Sequence, residues 1–230
     1  MLIIVTNFPL KKRLTIFLCF FFCLVTAFSQ FPRFSLATDV GAQRSFKKEQ
    51  QYWAVGHTVH ALFHFSPRDG AYVWIAYYSD GKFHNTLIAS AKSTMTVPQL
   101  IFYRNDASMR FKHFSVGWKR YLKGQFDSEE KENFYAYGGF GLMLGRVINS
   151  HSPSIDTSMY NVPVKPGKGN FKRLTLDLGL GWETPLGADI FFYLEGRAWL
   201  PTTDYPSTFI FVNNNAPLTG MVNAGFRVLF

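Results

Sequence analysis

From residue 33 onward, apolar and polar residues trade places along the chain with a period of two. The segment 172–184 shows it most plainly. Leu174, Leu176, Leu178, Leu180 and Trp182 share one parity, and Thr175, Asp177, Gly179, Gly181 and Glu183 share the other. Side chains at i and i+2 lie on one face of a strand, so each such segment predicts a strand with one apolar face. Eight are read in this way: 33–43, 52–65, 71–79, 111–122, 133–146, 172–184, 189–200 and 218–230. In 189–200, Phe192, Leu194, Ala198 and Leu200 oppose Tyr193, Glu195, Arg197 and Trp199. In 111–122, Phe114, Val116, Trp118 and Leu122 oppose His113, Ser115, Gly117, Lys119 and Tyr121, and Arg120 breaks the apolar parity. In 133–146, Phe134, Ala136, Phe140, Leu142 and Leu144 oppose Tyr135, Tyr137, Gly139, Gly141 and Gly145.

The polar face separates two architectures. A soluble sandwich turns its polar face to water and mixes charge into it freely. Here that face is glycine, tyrosine and a few charges. Such a set suits a narrow lumen, where glycines leave room for large side chains from neighbouring strands. The predicted fold is all-β: an eight-stranded antiparallel up-and-down transmembrane β-barrel. The connections agree. Short or moderate ones, 66–70, 123–132 and 185–189, alternate with 44–51, 80–110, 147–171 and 201–217, most of which are long. A transmembrane barrel has short turns on one side and long loops on the other.

The N-terminus predicts export. Lys11, Lys12 and Arg13 precede an uncharged apolar run, Leu14 to Phe28, and Ala27-Phe28-Ser29 places small residues before Gln30. This is the layout of a cleaved signal peptide, and the run is short for a membrane span of about 20 residues. The expected division is 1–29 signal peptide and 30–230 barrel. The two cysteines, Cys19 and Cys23, fall inside the leader. The mature chain is therefore expected to carry no disulfide and no thiol chemistry. Aromatic residues at 18% and charged residues at 17% fit an exported barrel.

The last strand closes on Phe230, with Val222, Ala224, Phe226 and Val228 on the same parity. A terminal aromatic on a strand long enough to cross a bilayer is the mark of bacterial outer-membrane barrels. It predicts that location, with both termini periplasmic and the long loops external. Without the leader's Lys11, Lys12 and Arg13, the chain has 21 basic and 15 acidic residues, a net +6. The external segments with their strand edges sum to +7, so the whole excess lies on that side. Such a collar is attracted to the phosphates and carboxylates of lipopolysaccharide. Trp118, Trp182 and Phe230 fall at the periplasmic ends of their strands, facing lipid, and are expected to be interface anchors. Trp53 falls near the external end of strand two.

Four segments carry a family resemblance: Phe114-Ser115-Val116-Gly117-Trp118-Lys119-Arg120-Tyr121, Tyr135-Ala136-Tyr137-Gly138-Gly139-Phe140-Gly141-Leu142, Leu176-Asp177-Leu178-Gly179-Leu180-Gly181-Trp182-Glu183 and Gly225-Phe226-Arg227-Val228-Leu229-Phe230. The chain resembles the small outer-membrane β-barrel domain proteins related to the OmpA and OmpX barrels, over nearly its whole mature length. The resemblance is specific for the fold. It implies a barrel embedded in outer-membrane lipid, handled by the barrel-assembly machinery through its C-terminal strand. It carries no catalytic residue, and no peptidoglycan-binding domain is expected after the barrel.

The candidate chemistry lies in the lumen. Asp177, Arg197, Glu195, Lys119 and Arg227 are expected to form a structural polar network there, with Asp39 and Glu183 also facing inward, because buried charges must be paired. A turn around Gly187 predicts Asp177 opposite Arg197 and Gly179 opposite Glu195. Histidines raise an enzymatic alternative, a lipid A-modifying activity at the rim. His113-Phe114-Ser115 resembles the His-x-Ser of barrel lipid A deacylases, but both polar residues are expected to face the lumen, away from lipid. Ser150-His151-Ser152 with Asp156 lies in a loop. His60 and His64 have the spacing of helical metal ligands, and on a strand that spacing does not bring them together. No nucleotide-binding loop or zinc motif is present. No cofactor, metal or nucleic-acid partner is expected, and Asn213-Asn214-Asn215 offers no function. The expected role is non-enzymatic: structure or surface interaction through basic external loops, by lipopolysaccharide contact or adhesion. A small-solute channel is a weaker alternative, since an eight-stranded interior is just filled by side chains.

Overall fold

The computed structural model describes residues 33–129, 131–203, 208–209 and 218–230. The expected signal peptide, Asp204 and Asn213-Asn214-Asn215 lie outside this set. The described strands are β1 (Arg33–Ser45), β2 (Trp53–His64), β3 (Asp69–Ala91), β4 (Leu100–Lys123), β5 (Asn133–Ser152), β6 (Tyr160–Asn161), β7 (Gly167–Gly187), β8 (Ile190–Pro201) and β9 (Thr219–Leu229). All pairings are antiparallel. Each strand except β6 pairs with the next along the chain, and β9 returns to β1, so eight strands close into a barrel. The two-residue β6 adds to the edge of β3 beyond the wall.

The alternation read from the sequence is the alternation of the wall. In β8, Tyr193, Glu195, Arg197 and Trp199 are buried, and Ile190, Phe192 and Leu194 look outward. Val40, Val55, Phe140, Leu180 and Val222 are each more than 60% exposed. Five apolar side chains so exposed around one closed wall require an apolar medium. Glycines fill the inner face where large rings cross. A Cβ on Gly179 would lie 2.1 Å from the Tyr137 ring, and one on Gly181 the same distance from the Tyr135 ring.

Two expectations are corrected. The segments 80–110 and 147–171 are not mainly loop. β3 runs on to Ala91, β4 starts at Leu100, β5 continues to Ser152 and β7 starts at Gly167. β3 and β4 have 23 and 24 residues, more than twice the roughly 9–11 that a tilted strand needs to cross a bilayer. The wall therefore rises well past its apolar belt on this side. Outside the lipid the outer face meets water and needs no apolar parity. Arg104, Asp106 and Arg110 alternate there with buried Tyr103, Asn105, Ala107 and Met109. A bulge in β3 between Tyr78 and Gly81 shifts the register where the extension begins. A small core of Leu87, Ala89, Tyr103, Ile155, Tyr160 and Val164 packs a strap, residues 153–166, against it.

The second correction is the β7–β8 register. Asp177 faces Trp199, Gly179 faces Arg197 and Gly181 faces Glu195. The turn is centred on Ala188 and Asp189, both with positive φ (50° and 61°), and the strands bulge at Gly187. This is the two-residue geometry that matches strand twist. It moves the pairing by two positions. A shift of two conserves parity, so Asp177 and Arg197 both stay inside.

Candidate functional site

Three polar layers cross the lumen. The first lies toward the short turns. Arg227 on β9 grips Glu183 on β7 with two bonds, Nε to Oε2 at 2.9 Å and Nη2 to Oε1 at 2.6 Å. Its Nη1 donates to Ser35 Oγ at 2.9 Å, and Nη2 donates to the Phe126 carbonyl at 2.6 Å. Lys119 Nζ stands 3.7 Å from Glu183 and 3.5 Å from the centre of the Tyr135 ring. Ser35 also bonds His64 at 2.8 Å.

The middle layer is built on Arg197. Its Nη2 meets Glu195 Oε1 at 2.5 Å and Asp39 Oδ2 at 3.2 Å, and its Nη1 donates to Thr58 at 3.1 Å. The guanidinium carbon lies 3.5 Å over the Trp74 ring. Asp39 holds His60 at 2.8 Å and accepts from Tyr193 at 3.0 Å. Glu195 accepts from Tyr137 at 2.7 Å and from Tyr135 at 3.0 Å. Planar guanidinium against carboxylate is the geometry that holds a buried ion pair best.

Asp177 belongs to neither arginine. Its Oδ1 accepts from Thr175 at 2.8 Å and lies 3.4 Å from His113 Nε2. His113 shares Thr175 at 2.9 Å and stacks on Trp199 at 4.1 Å. Of the five residues expected to form one network, Arg227 joins Lys119 through Glu183, Arg197 joins Glu195, and Asp177 stands apart. Asp39, Glu183, His60, Tyr137 and Tyr193 complete the layers. The inward parity of Thr58, His60, Leu62 and His64 on β2 was the available signal for the histidines.

These layers fill the interior. The space left among His60, Trp74, Lys119, Tyr137, Glu195 and their neighbours is a cavity of about 20 Å³. That is room for about one water molecule. Above them Tyr52, Met109, Phe111, Met143, Val147 and Phe171 form an apolar plug.

The histidine sets do not converge. Ser115 Oγ donates to the Phe140 carbonyl at 3.3 Å, and both His113 and Ser115 are buried in the lumen. His151 packs its ring against Tyr103 at 4.5 Å, whereas Ser150 faces outward. Asp156 is occupied in its own turn, accepting from Ser158. Among the described residues no group of three His, Cys, Asp or Glu could hold a metal ion.

The aromatic positions lie on the outer face near the short turns. Trp118 is half exposed, donates to Asp69 Oδ1 at 3.1 Å and stacks on Phe65 at 5.4 Å. Arg120 stands 3.8 Å from the same aspartate. Trp182 packs edge-on against Phe192, and Phe230 packs against Phe34. Near the opposite rim, Arg44 lies 5.2 Å over the Trp53 ring.

No protein-family model matches the chain, and no curated protein sequence matches it. Solved structures do. Neisserial surface protein A is similar with a TM-score of 0.51 at 12% identity, over 86% of this chain and 97% of that one. The fold is that of the small outer-membrane β-barrels. The attachment invasion locus protein of Yersinia pestis, solved with the heparin analogue sucrose octasulfate, aligns over 86% of this chain and 99% of its own, at 10% identity and a TM-score of 0.48. Acinetobacter baumannii CarO aligns over 87% and 99%, at 12% identity and 0.43. Likeness at these identities concerns the barrel's architecture.

Proposed function

We propose that this barrel sits in the bacterial outer membrane, termini periplasmic, and acts there without catalysis, through its wall and its external surface. One observation carries the reading. The lumen is closed by paired charges and an apolar plug, and the wall on the β3–β4–β5–β7 side continues far beyond the apolar belt. The invested structure is therefore outside the membrane and not along a pore. The rim carries exposed cations and, at the β3–β4 tip, exposed Met95, Val97 and Leu100. The cations favour contact with the anionic headgroups of lipopolysaccharide, and the tip favours adhesion. The aromatic residues Trp118, Trp182 and Phe230 anchor the inner interface.

The test has two arms. Sucrose-gradient fractionation of cells is expected to place the protein with the outer membrane, and a cysteine introduced at Met95 is expected to react with an impermeant maleimide on intact cells. Purified protein in planar bilayers is expected to give no discrete conductance steps, and lipid A from expressing cells is expected to keep its mass. Regular pores, or lipid A of altered mass that reverts when His113 is replaced, would each overturn the corresponding half of the proposal.

A further inference from the structure

The outward face of the wall is not evenly charged. On β1, β2, β8 and β9 it carries a single cation, Arg44, laid over Trp53. On β4, β5 and β7 four cations share two adjacent rungs. One rung runs Tyr77, Lys112, Leu144, Lys172, and the next runs Arg110, Arg146, Asn170. Lys82 and Lys168 join one rung higher, across Ser108 and Ile148. On β4, β5 and β7 these three rungs hold no carboxylate. The nearest on β4, Asp106, is already paired with Arg104 at 2.8 Å. Among the described residues no ion pair involves Arg110, Lys112, Arg146 or Lys172.

Arg110 and Arg146 are directly opposite each other in the ladder. Like charges so placed destabilise a sheet. Arg146 Nε is held by Asn170 Oδ1 at 3.2 Å, which fixes the guanidinium without neutralising it. Over the outer surface of these strands lies an open groove of about 610 Å³, lined by Leu144, Gly145 and the four cations. The rung immediately below switches to Ile75, Phe114, Leu142 and Leu174, and the one beneath that to Val73, Val116, Phe140 and Leu176. Charge and hydrocarbon therefore meet along one line on the outside of the barrel.

We propose that this groove is a binding site for a phosphorylated lipid headgroup, with phosphates on Arg110, Arg146, Lys112 and Lys172 and acyl chains on the apolar rungs below. The chemistry is specific in three ways. The anion relieves the Arg110–Arg146 repulsion, and guanidinium matches phosphate oxygens in a fork. Neighbouring strands are about 4.8 Å apart, so cations on three strands span about 10 Å and suit a headgroup bearing two phosphates. The adjoining belt requires that the phosphate be attached to a lipid, since a free anion gains nothing from Phe114, Leu142 and Leu174. The site rests on the outer-membrane reading, because that membrane presents phosphorylated glycolipid to the half of the wall where the groove lies.

Binding to the purified, folded barrel in neutral detergent tests the site whatever the protein's location. The probes are bisphosphorylated lipid A, monophosphorylated lipid A and inorganic pyrophosphate, read by native mass spectrometry and by competition. The variant is Arg110→Gln with Arg146→Gln and Lys172→Gln. These are outward residues, and retained heat-modifiable migration on gels confirms that the barrel still closes. The control is Lys47→Gln with Lys48→Gln, which removes two cations between β1 and β2. The triple variant is expected to bind bisphosphorylated lipid A at least tenfold more weakly and to lose its preference over the monophosphorylated form, with the control unchanged. A single Arg146→Lys variant is expected to fall between wild type and the triple variant. Equal binding by triple variant and control overturns the site. Pyrophosphate binding as tightly as lipid A overturns the lipid assignment. If fractionation finds the protein outside the outer membrane while lipid A still binds the groove, the location fails and the site stands.

Discussion

Arg197 and Asp39 are separated by 158 positions in the chain and meet at 3.2 Å in the middle of the lumen. With Glu195 on the same guanidinium nitrogen, they tie β1 to β8 across the intervening β9. Replacing Arg197 by Met leaves two carboxylates buried without their counter-charge. Breaking a buried pair costs about 3–5 kcal/mol. Urea unfolding in detergent, followed by tryptophan fluorescence, is expected to show a loss of that order. Adding Asp39→Asn and Glu195→Gln is expected to recover most of it. A single variant as stable as wild type refutes the account.

Gly179 is set by the ring that passes over it. A Cβ there would sit 2.1 Å from Tyr137 Cζ. Gly179→Ala is expected to destabilise the barrel by about 1–3 kcal/mol, as overpacking does. In the Tyr137→Ser background the same substitution is expected to cost much less. Additive losses in the double variant rule out a steric cause.

Trp118 is half exposed on the outer wall, and Trp199 is fully buried in the lumen. Single-tryptophan variants reconstituted with brominated lipids are expected to separate them. Trp118 and Trp182 are expected to be quenched most by bromine close to the headgroups, and Trp199 only weakly by bromine at any depth. Strongest quenching of Trp118 from the bilayer centre contradicts the proposal that it is an interface anchor.

His151, near the end of β5, is expected to give the strap beyond the belt a pH dependence. Burial against Tyr103 pushes its pKa below the ordinary value near 6.5. The folded strap therefore holds fewer protons than the open one between the depressed value and 6.5, and stability in that window rises with pH. The contribution of His151 is expected to be full above about pH 6.5 and to fall as the pH drops. Hydrogen exchange in residues 153–166 is expected to quicken on acidification from pH 7 to 5, after correction for intrinsic rates. His151→Phe is expected to flatten the response, and a wild type without pH dependence contradicts the assignment.

The exported protein is expected to begin at Gln30. Intact-mass measurement of material from the membrane fraction checks this directly, and a mass retaining Lys11, Lys12 and Arg13 excludes cleavage.

Much of the fold was legible because the wall obeys a local rule. Leu174 to Trp182 alternate in the sequence as they do in the structure. The extended part of β4 was not legible for a related reason. Phe102, Arg104, Asp106 and Ser108 face outward beyond the belt, where water accepts either kind of residue, so no period marks the strand. The network was half legible. The inward positions of Arg197, Glu195, Lys119, Arg227 and Asp177 followed from parity, but Asp177 turned out to hold His113 and Thr175, and Arg197 to hold Asp39.

The sequence by itself determined which side chains face the lumen and which face lipid, because period-two geometry is a property of the single strand and an apolar surround demands one apolar parity. Only the closed barrel decided who meets whom. Asp39 reaches Arg197 through the β1–β9 seam and the β8–β9 register, and Arg146 comes to stand against Arg110 through the β4–β5 register with its bulge at Tyr121–Lys123. Those registers depend on every strand in the circle at once, and no window of the sequence contains them.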